Sequence, residues 1–134
     1  NITVYKSTIK LCRIVYTKVA NYTAMPYNKG TMEFIETTIF TKYVYEYLSE
    51  DEYIGLQSFL VLYPKSGRVV PGSGGVRKIR WAMSGKGKSG GVRIIYYFKP
   101  NDNEIWLLTI YSKNEVENIP AHILRKIAKE IEDG

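Results

Sequence analysis

The sequence has one cysteine and one histidine among 134 residues. A lone cysteine, Cys12, cannot form an intramolecular disulfide or a multi-cysteine zinc site, which fits a reducing cytosol. A lone histidine, His122, excludes acid–base catalysis by a pair of histidines. No apolar run approaches the roughly 18 residues that a membrane-spanning helix needs. We therefore expect a cytoplasmic protein without a metal, another cofactor or a membrane partner.

Carboxylates are absent from 49 consecutive residues, 53–101, although the whole chain contains 13 Asp and Glu. The same stretch holds nine cations: Lys65, Arg68, Arg77, Lys78, Arg80, Lys86, Lys88, Arg93 and Lys99. The flanking segments 32–52 and 102–134 are acidic overall, so the formal net charge of +6 hides a strong local excess. A short basic run is usually only a solvated surface, but one of this length favours a polyanionic partner.

The hydrophobic pattern is helical before Pro64 and strand-like after it. Residues 32–37 alternate like a short strand, and Thr38 and Ser49 are the predicted N-caps of two successive helices. The second helix carries acids in its first turn and is predicted to end at Pro64. Its predicted buried stripe comprises Leu56, Phe59, Leu60 and Tyr63.

Three strands and a helix are predicted after Pro64. The strands cover 76–83, 92–98 and 105–111, and the helix after Asn118 has an apolar inner face of Leu124, Ile127, Ala128 and Ile131. This order predicts an α+β domain, with a small antiparallel β-sheet, two N-terminal helices packed on it and a C-terminal helix. Residues 1–31 fit the plan poorly. We predict that they form an extension outside the functional core and that the domain spans 32–134.

Strand alternation places several cations on one sheet face. Lys78 and Arg80 are two residues apart and share a face, and Arg93 on the next strand can stand near either of them. Lys113 follows the third strand. Such a cluster is unfavourable without an anion to neutralise it. The alternative is that each cation pairs with an acid from the helices, and Glu115 or Glu117 could serve, but the lack of carboxylates in the surrounding stretch favours anion binding.

The glycine-rich loop at 82–89 loosely matches a phosphate-binding loop. That mechanism needs a helix directly after the loop, whereas here the β-branched and aromatic run 92–98 predicts a strand. Nucleotide hydrolysis is therefore rejected. Lys86 and Lys88 are interpreted as contacts to a nucleic-acid backbone or as solubilising charges. Most of the aromatic residues interleaved with the cations are expected to lie in the core. One or two of them are expected to stack on a base.

Several segments together resemble the RelE/HigB toxin family, and its HigB branch most closely. They are residues 76–80, the Gly/Lys loop, 91–98 and 107–115, with 34–40 and 62–67 similar as well. The resemblance implies a RelE/ParE-like fold over 32–134 and a toxin of a bacterial type II toxin–antitoxin system. Such toxins enter the A site of the 70S ribosome and cleave mRNA there. A HigA-like antitoxin would silence the chain, and operator DNA would be contacted only through the antitoxin complex.

The resemblance also implies a metal-free site. Its catalytic residues would be Lys78, Arg80, Arg93 and Lys113. RNA or ribosome contacts would come from Arg68, Arg77, Lys86, Lys88 and Asn114. Asn114 stands where RelE has an arginine, and no tyrosine follows Tyr111 to match the C-terminal tyrosine of RelE.

The expected reaction is attack of the mRNA 2′-hydroxyl on the adjacent phosphate, which yields a 2′,3′-cyclic phosphate and a 5′-hydroxyl. Arg80 and Arg93 would stabilise the transition state, and Lys78 would act as general base, because crowded cations favour a neutral amine.

Three other functions fit the same basic stretch. The first is a non-catalytic nucleic-acid-binding module, whose binding weakens with salt and breaks no strand. The second is a gyrase-directed toxin of the related ParE family, although those proteins generally lack the clustered catalytic cations. The third is an interaction protein that docks an acidic partner.

Overall fold

The computed structural model of the chain describes residues 13–16, 32–81, 91–112 and 119–133. Its strands are β1 (Arg13–Tyr16), β2 (Glu33–Glu36), β3 (Arg68–Val69), β4 (Arg77–Trp81), β5 (Val92–Lys99) and β6 (Glu104–Ser112). Its helices are α1 (Thr38–Tyr47), α2 (Glu50–Leu62) and α3 (Ala121–Asp133), with a 3-10 turn at Pro100–Asp102. The strands form one sheet in the order β1-β2-β6-β5-β4-β3. The predicted α+β class is confirmed.

The sheet is mixed, so the prediction of a wholly antiparallel sheet is wrong at one pair. Strand β2 runs parallel to β6, with Phe34 opposite Ile105, whereas the other neighbouring strands are antiparallel. The meander β3–β6 begins at the far edge of the sheet and reverses direction at each strand. Strand β3 runs opposite to β2, so after three reversals β6 lies beside β2 and runs parallel to it. The two helices and the meander supply the long crossover that a parallel pair needs.

Strand β1 lies within the segment 1–31 and extends the sheet at one edge. It pairs antiparallel with β2, with Arg13 opposite Glu36 and Tyr16 opposite Glu33. Four residues of that segment therefore have a partner in the sheet. The division of the chain at residue 32 stays a prediction, because backbone pairing does not show which residues carry function.

Side-chain hydrogen bonds fix the starts of α1 and α2. The N-cap of α1 is Thr37 and not the predicted Thr38, because the Thr37 hydroxyl accepts a hydrogen bond from Phe40 N at 3.1 Å and donates one to the carbonyl of Leu108 at 2.7 Å. The predicted Ser49 cap is confirmed. Its hydroxyl accepts from Glu52 N, and the Glu52 carboxylate accepts from Ser49 N, which completes a capping box. The predicted cap Asn118 lies outside the described residues.

Two apolar cores lie on opposite faces of the sheet, since consecutive residues of β5 belong alternately to one and the other. Helices α1 and α2 cover the first core, which includes Phe34, Phe40, Val44, Leu56, Leu60, Ile79, Ile94, Tyr96, Ile105 and Leu107. Helix α3 covers the second, which comprises Val76, Ile95, Tyr97, Leu108, Ile123, Leu124, Ile127, Ala128 and Ile131. The predicted inner face of the last helix is confirmed. Within the described ranges, no helix is long and apolar enough to cross a membrane.

One predicted core residue is wrong. Tyr63 is the C-cap of α2 and is 55% exposed, because the helix ends at Leu62 and Pro64 turns the chain away. Phe59, one turn earlier, is only partly buried. Leu56 and Leu60 are fully buried, as predicted.

A buried carboxyl group links β2 to both helices above it. Glu36 is 1% exposed, and its two oxygens accept hydrogen bonds from the hydroxyls of Thr41 at 2.6 Å and Tyr53 at 2.5 Å. Burial and the neighbouring Glu36 carboxylate raise the pKa of Tyr53 well above its usual value, so the phenol remains a donor.

The substitution Tyr53→Phe should lower the free energy of unfolding by about 2 kcal/mol, because it removes a donor from a buried carboxylate. Urea unfolding followed by circular dichroism measures the change. Tyr45→Phe on α1 is the matched control, since Tyr45 is 57% exposed. Equal stability of the two variants would show that the Tyr53 hydroxyl adds nothing to the fold.

Stability should also fall steeply in alkaline solution. Burial and the hydrogen bond to Glu132 at 2.6 Å raise the pKa of Tyr97 to about 12. The unfolded chain releases this proton near pH 10. The contribution of Tyr97 is therefore complete below pH 10 and is lost as the pH rises to 12. Urea titrations across this range should give a steeper fall for the wild type than for Tyr97→Phe, and parallel curves would contradict the assignment.

Candidate nucleic-acid interface

Two basic side chains of β4, Lys78 and Arg80, lie on the sheet face that α3 partly covers. Ile79 is buried in the core beneath α1 and α2, whereas Lys78 and Arg80 are exposed. Val76, two residues before Lys78, points to the same face as these two cations and contributes to the core beneath α3. Lys78 and Arg80 therefore share one face, as strand alternation predicts, and they lie beyond the part that α3 covers.

The strand register adds two arginines to this face. Arg93 of β5 lies directly opposite Arg80, and Arg68 of β3 lies directly opposite Lys78. We call Arg68, Lys78, Arg80 and Arg93 the cation cluster. Residues directly opposite in an antiparallel pair have Cβ atoms about 5 Å apart, and like charges so placed destabilise the sheet. The fold thus holds two adjacent repulsive pairs across three strands.

Arg93 is the most enclosed member of the cluster. Its Nη1 atom is buried and has no hydrogen-bond partner among the described residues. A Cβ atom built on Gly91 would lie 3.9 Å from Arg93 Nη1 and 3.9 Å from Arg80 Cγ, so both side chains lie against this glycine. A buried donor without an acceptor costs about 1–3 kcal/mol. A phosphate oxygen would satisfy it with a charge-assisted hydrogen bond.

The cluster is not neutralised by the described part of the chain. The ion pairs found there join Lys99 to Asp102 at 2.9 Å and Lys129 to Asp133 at 3.2 Å. No cluster residue forms an ion pair with another described residue. Within the described ranges, the cluster thus combines four cations with one buried donor, Arg93 Nη1, that has no acceptor.

Arg77 belongs to a different environment. It precedes Lys78 on β4, and its Nη1 donates hydrogen bonds to the carbonyls of Lys65 at 3.0 Å and Gly67 at 2.8 Å. The guanidinium therefore fixes the turn between α2 and β3, and the structure does not bring it together with the cluster. Its predicted role in RNA binding stays a prediction.

Four predicted site residues cannot be placed. Lys86, Lys88, Lys113 and Asn114 lie outside the described residues. Strand β6 ends at Ser112, and Tyr111 is opposite Arg93 in the register. The catalytic or RNA-binding roles of these four residues rest on the sequence alone.

A groove that the sequence did not reveal lies at the C-terminal end of α2. Its volume is about 490 Å³, and its lining consists of Phe59, Tyr63, Pro64, Lys65 and Ser66. The helical spacing assigned Phe59 and Tyr63 to the core, so the groove was missed. Pro64 was the signal for this groove. A proline ends the helix before it, so the helical spacing no longer predicts where the side chain of Tyr63 points.

No protein-family model matches the chain. The resemblance to RelE and HigB toxins therefore rests on the sequence segments quoted above. Among the described residues, no group of three or more His, Cys, Asp or Glu side chains is placed to hold a metal ion.

Proposed function

We propose that the chain is a ribosome-dependent endoribonuclease that cleaves translated mRNA and is neutralised by a HigA-like antitoxin. The observation that carries the proposal is the pair Arg80 and Arg93, opposite each other on neighbouring strands with a buried guanidinium nitrogen unsatisfied. Two guanidinium groups held together, with no carboxylate paired to them in the described part of the chain, favour a ligand with several anionic oxygens, and a phosphodiester is such a ligand.

The reaction that fits this pair is transesterification within the RNA backbone. The 2′-oxygen attacks the adjacent phosphorus, the bond from phosphorus to the 5′-oxygen breaks, and the products are a 2′,3′-cyclic phosphate and a 5′-hydroxyl. Negative charge increases on the phosphoryl oxygens in the transition state. Arg80 and Arg93 would stabilise that charge, and their existing placement on a rigid sheet would spare reorganisation during the reaction.

Proton transfer is assigned to Lys78. It lies on the same face as Arg80, two residues away on β4. Its side chain is exposed, so a bound RNA backbone could reach it. As general base it would take the proton of the 2′-hydroxyl, and the departing 5′-oxygen would take a proton from water to become the 5′-hydroxyl. A Lys78→Ala protein that cleaves mRNA at the wild-type rate would rule out this assignment. Lys113 remains assigned by resemblance.

The site explains why the ribosome would be required. Without a histidine pair, much of the rate must come from aligning the 2′-oxygen with the scissile phosphate. Free RNA is flexible and rarely adopts this alignment, whereas the A site holds a codon in a fixed path. Weak cleavage of naked RNA and strong cleavage of translated RNA are therefore expected.

Primer extension on mRNA from cells after brief induction tests the proposal. Discrete breaks within translated codons are expected, and they should disappear when the start codon of the reporter message is removed. DNA damage without mRNA breaks would identify a ParE-like gyrase toxin. Salt-sensitive RNA binding without breaks would identify a non-catalytic nucleic-acid-binding module. An acidic protein partner without either effect would identify an interaction protein.

A further inference from the structure

Three aromatic side chains form a continuous row beside the groove at the end of α2. The ring of Phe59 lies 5.1 Å from the ring of Tyr63 and 5.4 Å from the ring of Trp81, measured between centroids. Tyr63 is 55% exposed, and Phe59 and Trp81 are partly buried. Packing against Phe59 therefore supports the exposed ring of Tyr63 from below and leaves part of its surface open to a ligand.

The charges around the row favour an anionic ligand. Lys65 is exposed and lines the groove, whereas Arg68, three residues later, belongs to the cation cluster on the other sheet face. The groove lies within the stretch 53–101, which has no carboxylate. Exposed aromatic rings beside cations bind single-stranded nucleic acids, because bases stack on the rings and phosphates contact the cations.

The backbone near the groove is poorly suited to an added peptide strand. The adjacent edge strand β3 has only two residues, Arg68 and Val69. The N–H groups on either side are already used, since Gly67 N donates to the Tyr96 hydroxyl and Val70 N donates to the carbonyl of Val76. A peptide that added to this edge would form few hydrogen bonds. A ligand that binds through rings and charge fits better.

We propose that the groove is a base-stacking site for single-stranded RNA, with Tyr63 as the stacking platform and Lys65 as the contact to the neighbouring phosphate. Trp81 directly follows Arg80 on β4 and points to the other face, so this site and the cation cluster lie on opposite faces of the sheet near its β3–β4 edge. The site would bind a nucleotide away from the scissile phosphate and hold the message in register. The choice of mRNA as the natural ligand rests on the proposed function, whereas the stacking itself does not.

Fluorescence anisotropy of the purified full chain with a short labelled 2′-O-methyl RNA strand tests the site, since this RNA cannot undergo attack by its 2′-oxygen. Tyr63→Ala should weaken binding by roughly 5- to 150-fold, the range for loss of one stacked base. It removes no charge and should leave the slope of log K against log salt unchanged. Lys65→Ala should reduce that slope by about one. Tyr63→Phe should bind like the wild type.

Tyr45→Ala is the matched control, because Tyr45 is exposed to a similar extent, 57%, on α1. It should bind RNA like the wild type. An abasic strand of equal charge should bind equally to the wild type and to Tyr63→Ala. Wild-type RNA affinity in Tyr63→Ala would overturn the proposal, and so would an equal loss for the abasic strand.

Competing ligands separate the remaining outcomes. A glutamate-rich peptide whose binding depends on Tyr63, while RNA binding does not, would identify a protein-docking groove and overturn the proposal. Tyr63-dependent RNA binding without mRNA breaks in cells would refute the nuclease and leave the stacking site intact. Breaks in mRNA with Tyr63-independent RNA binding would support the nuclease and refute the stacking site.

Discussion

Arg93→Gln should lower the rate of mRNA cleavage by about 100-fold or more, the usual loss when one donor to a developing oxyanion is removed. The same substitution should leave thermal stability unchanged or slightly raised. Arg93 lies opposite Arg80, and relief of repulsion between like charges across a strand pair is worth about 0.2–1 kcal/mol. A large loss of activity without a loss of stability is the behaviour of a ligand-binding arginine.

Four further variants make this result specific. Arg80→Gln should resemble Arg93→Gln, and the double variant should lose less than the product of the two single effects, because both arginines act on one phosphate. Arg93→Lys should remain impaired, since an ammonium group cannot form two parallel hydrogen bonds to a phosphate. Lys42→Gln removes an exposed charge from α1 and should cleave normally.

Cleavage is measured by primer extension on a ribosome-bound message, and stability by thermal unfolding of the same preparations. If Arg93→Gln unfolds at a temperature low enough to explain its lost activity, Arg93 is a structural residue and the phosphate assignment fails. If Lys42→Gln loses as much activity as Arg93→Gln, the basic surface acts only through total charge.

The local features of the fold could be predicted because they depend on neighbouring residues alone. The alternation of β4 separates Lys78 and Arg80 from Ile79 whatever the strand pairs with. Ser49 followed by Glu52 forms a capping box from its own four residues. The error at α1 is one residue, because Thr37 and Thr38 are chemically alike; Thr37 is the cap by its hydrogen bond from Phe40 N and is also held by the distant Leu108 carbonyl.

The remaining features depend on contacts between distant residues. The pairing of Arg80 with Arg93 needs the register of β4 against β5, which no local pattern encodes. The parallel pairing of β2 with β6 depends on how the strands that lie between them in the chain, β3 to β5, are placed in the sheet. Strand alternation predicts from the sequence that Arg77 and Lys78 point to opposite faces. It does not predict the turn carbonyls that accept hydrogen bonds from Arg77. The site could therefore be predicted as a set of residues but not as a geometry.

Gly67 is the residue whose replacement should damage the fold most among the glycines of the described segments. A Cβ atom at this position would lie 2.8 Å from both Cε1 and the hydroxyl oxygen of Tyr96, and 3.1 Å from the carbonyl oxygen of Lys78. Tyr96 is fully buried, and its hydroxyl accepts from Gly67 N and donates to the carbonyl of Pro64, both at 2.9 Å. The ring cannot retreat without breaking both hydrogen bonds.

Gly67→Ala should therefore lower the free energy of unfolding by about 3 kcal/mol, from overpacking and the loss of a buried hydrogen bond. Gly55→Ala is the matched control, because its added methyl group meets only Trp81 Cζ2 at 3.9 Å, an ordinary contact. Alanine inside α2 should raise stability by about 0.8–1 kcal/mol. Urea unfolding of the two variants should thus show shifts of opposite sign.

The two glycines also separate stability from function. Gly67 directly precedes Arg68, and its carbonyl accepts a hydrogen bond from Arg77, so displacement of this turn moves β3 relative to β4. Gly67→Ala should accordingly impair RNA binding even below its unfolding temperature, whereas Gly55→Ala should bind normally. Shifts of the same sign in unfolding would contradict the close approach of Tyr96. Normal RNA binding by a destabilised but folded Gly67→Ala would instead show that the position of Arg68 does not matter for RNA binding.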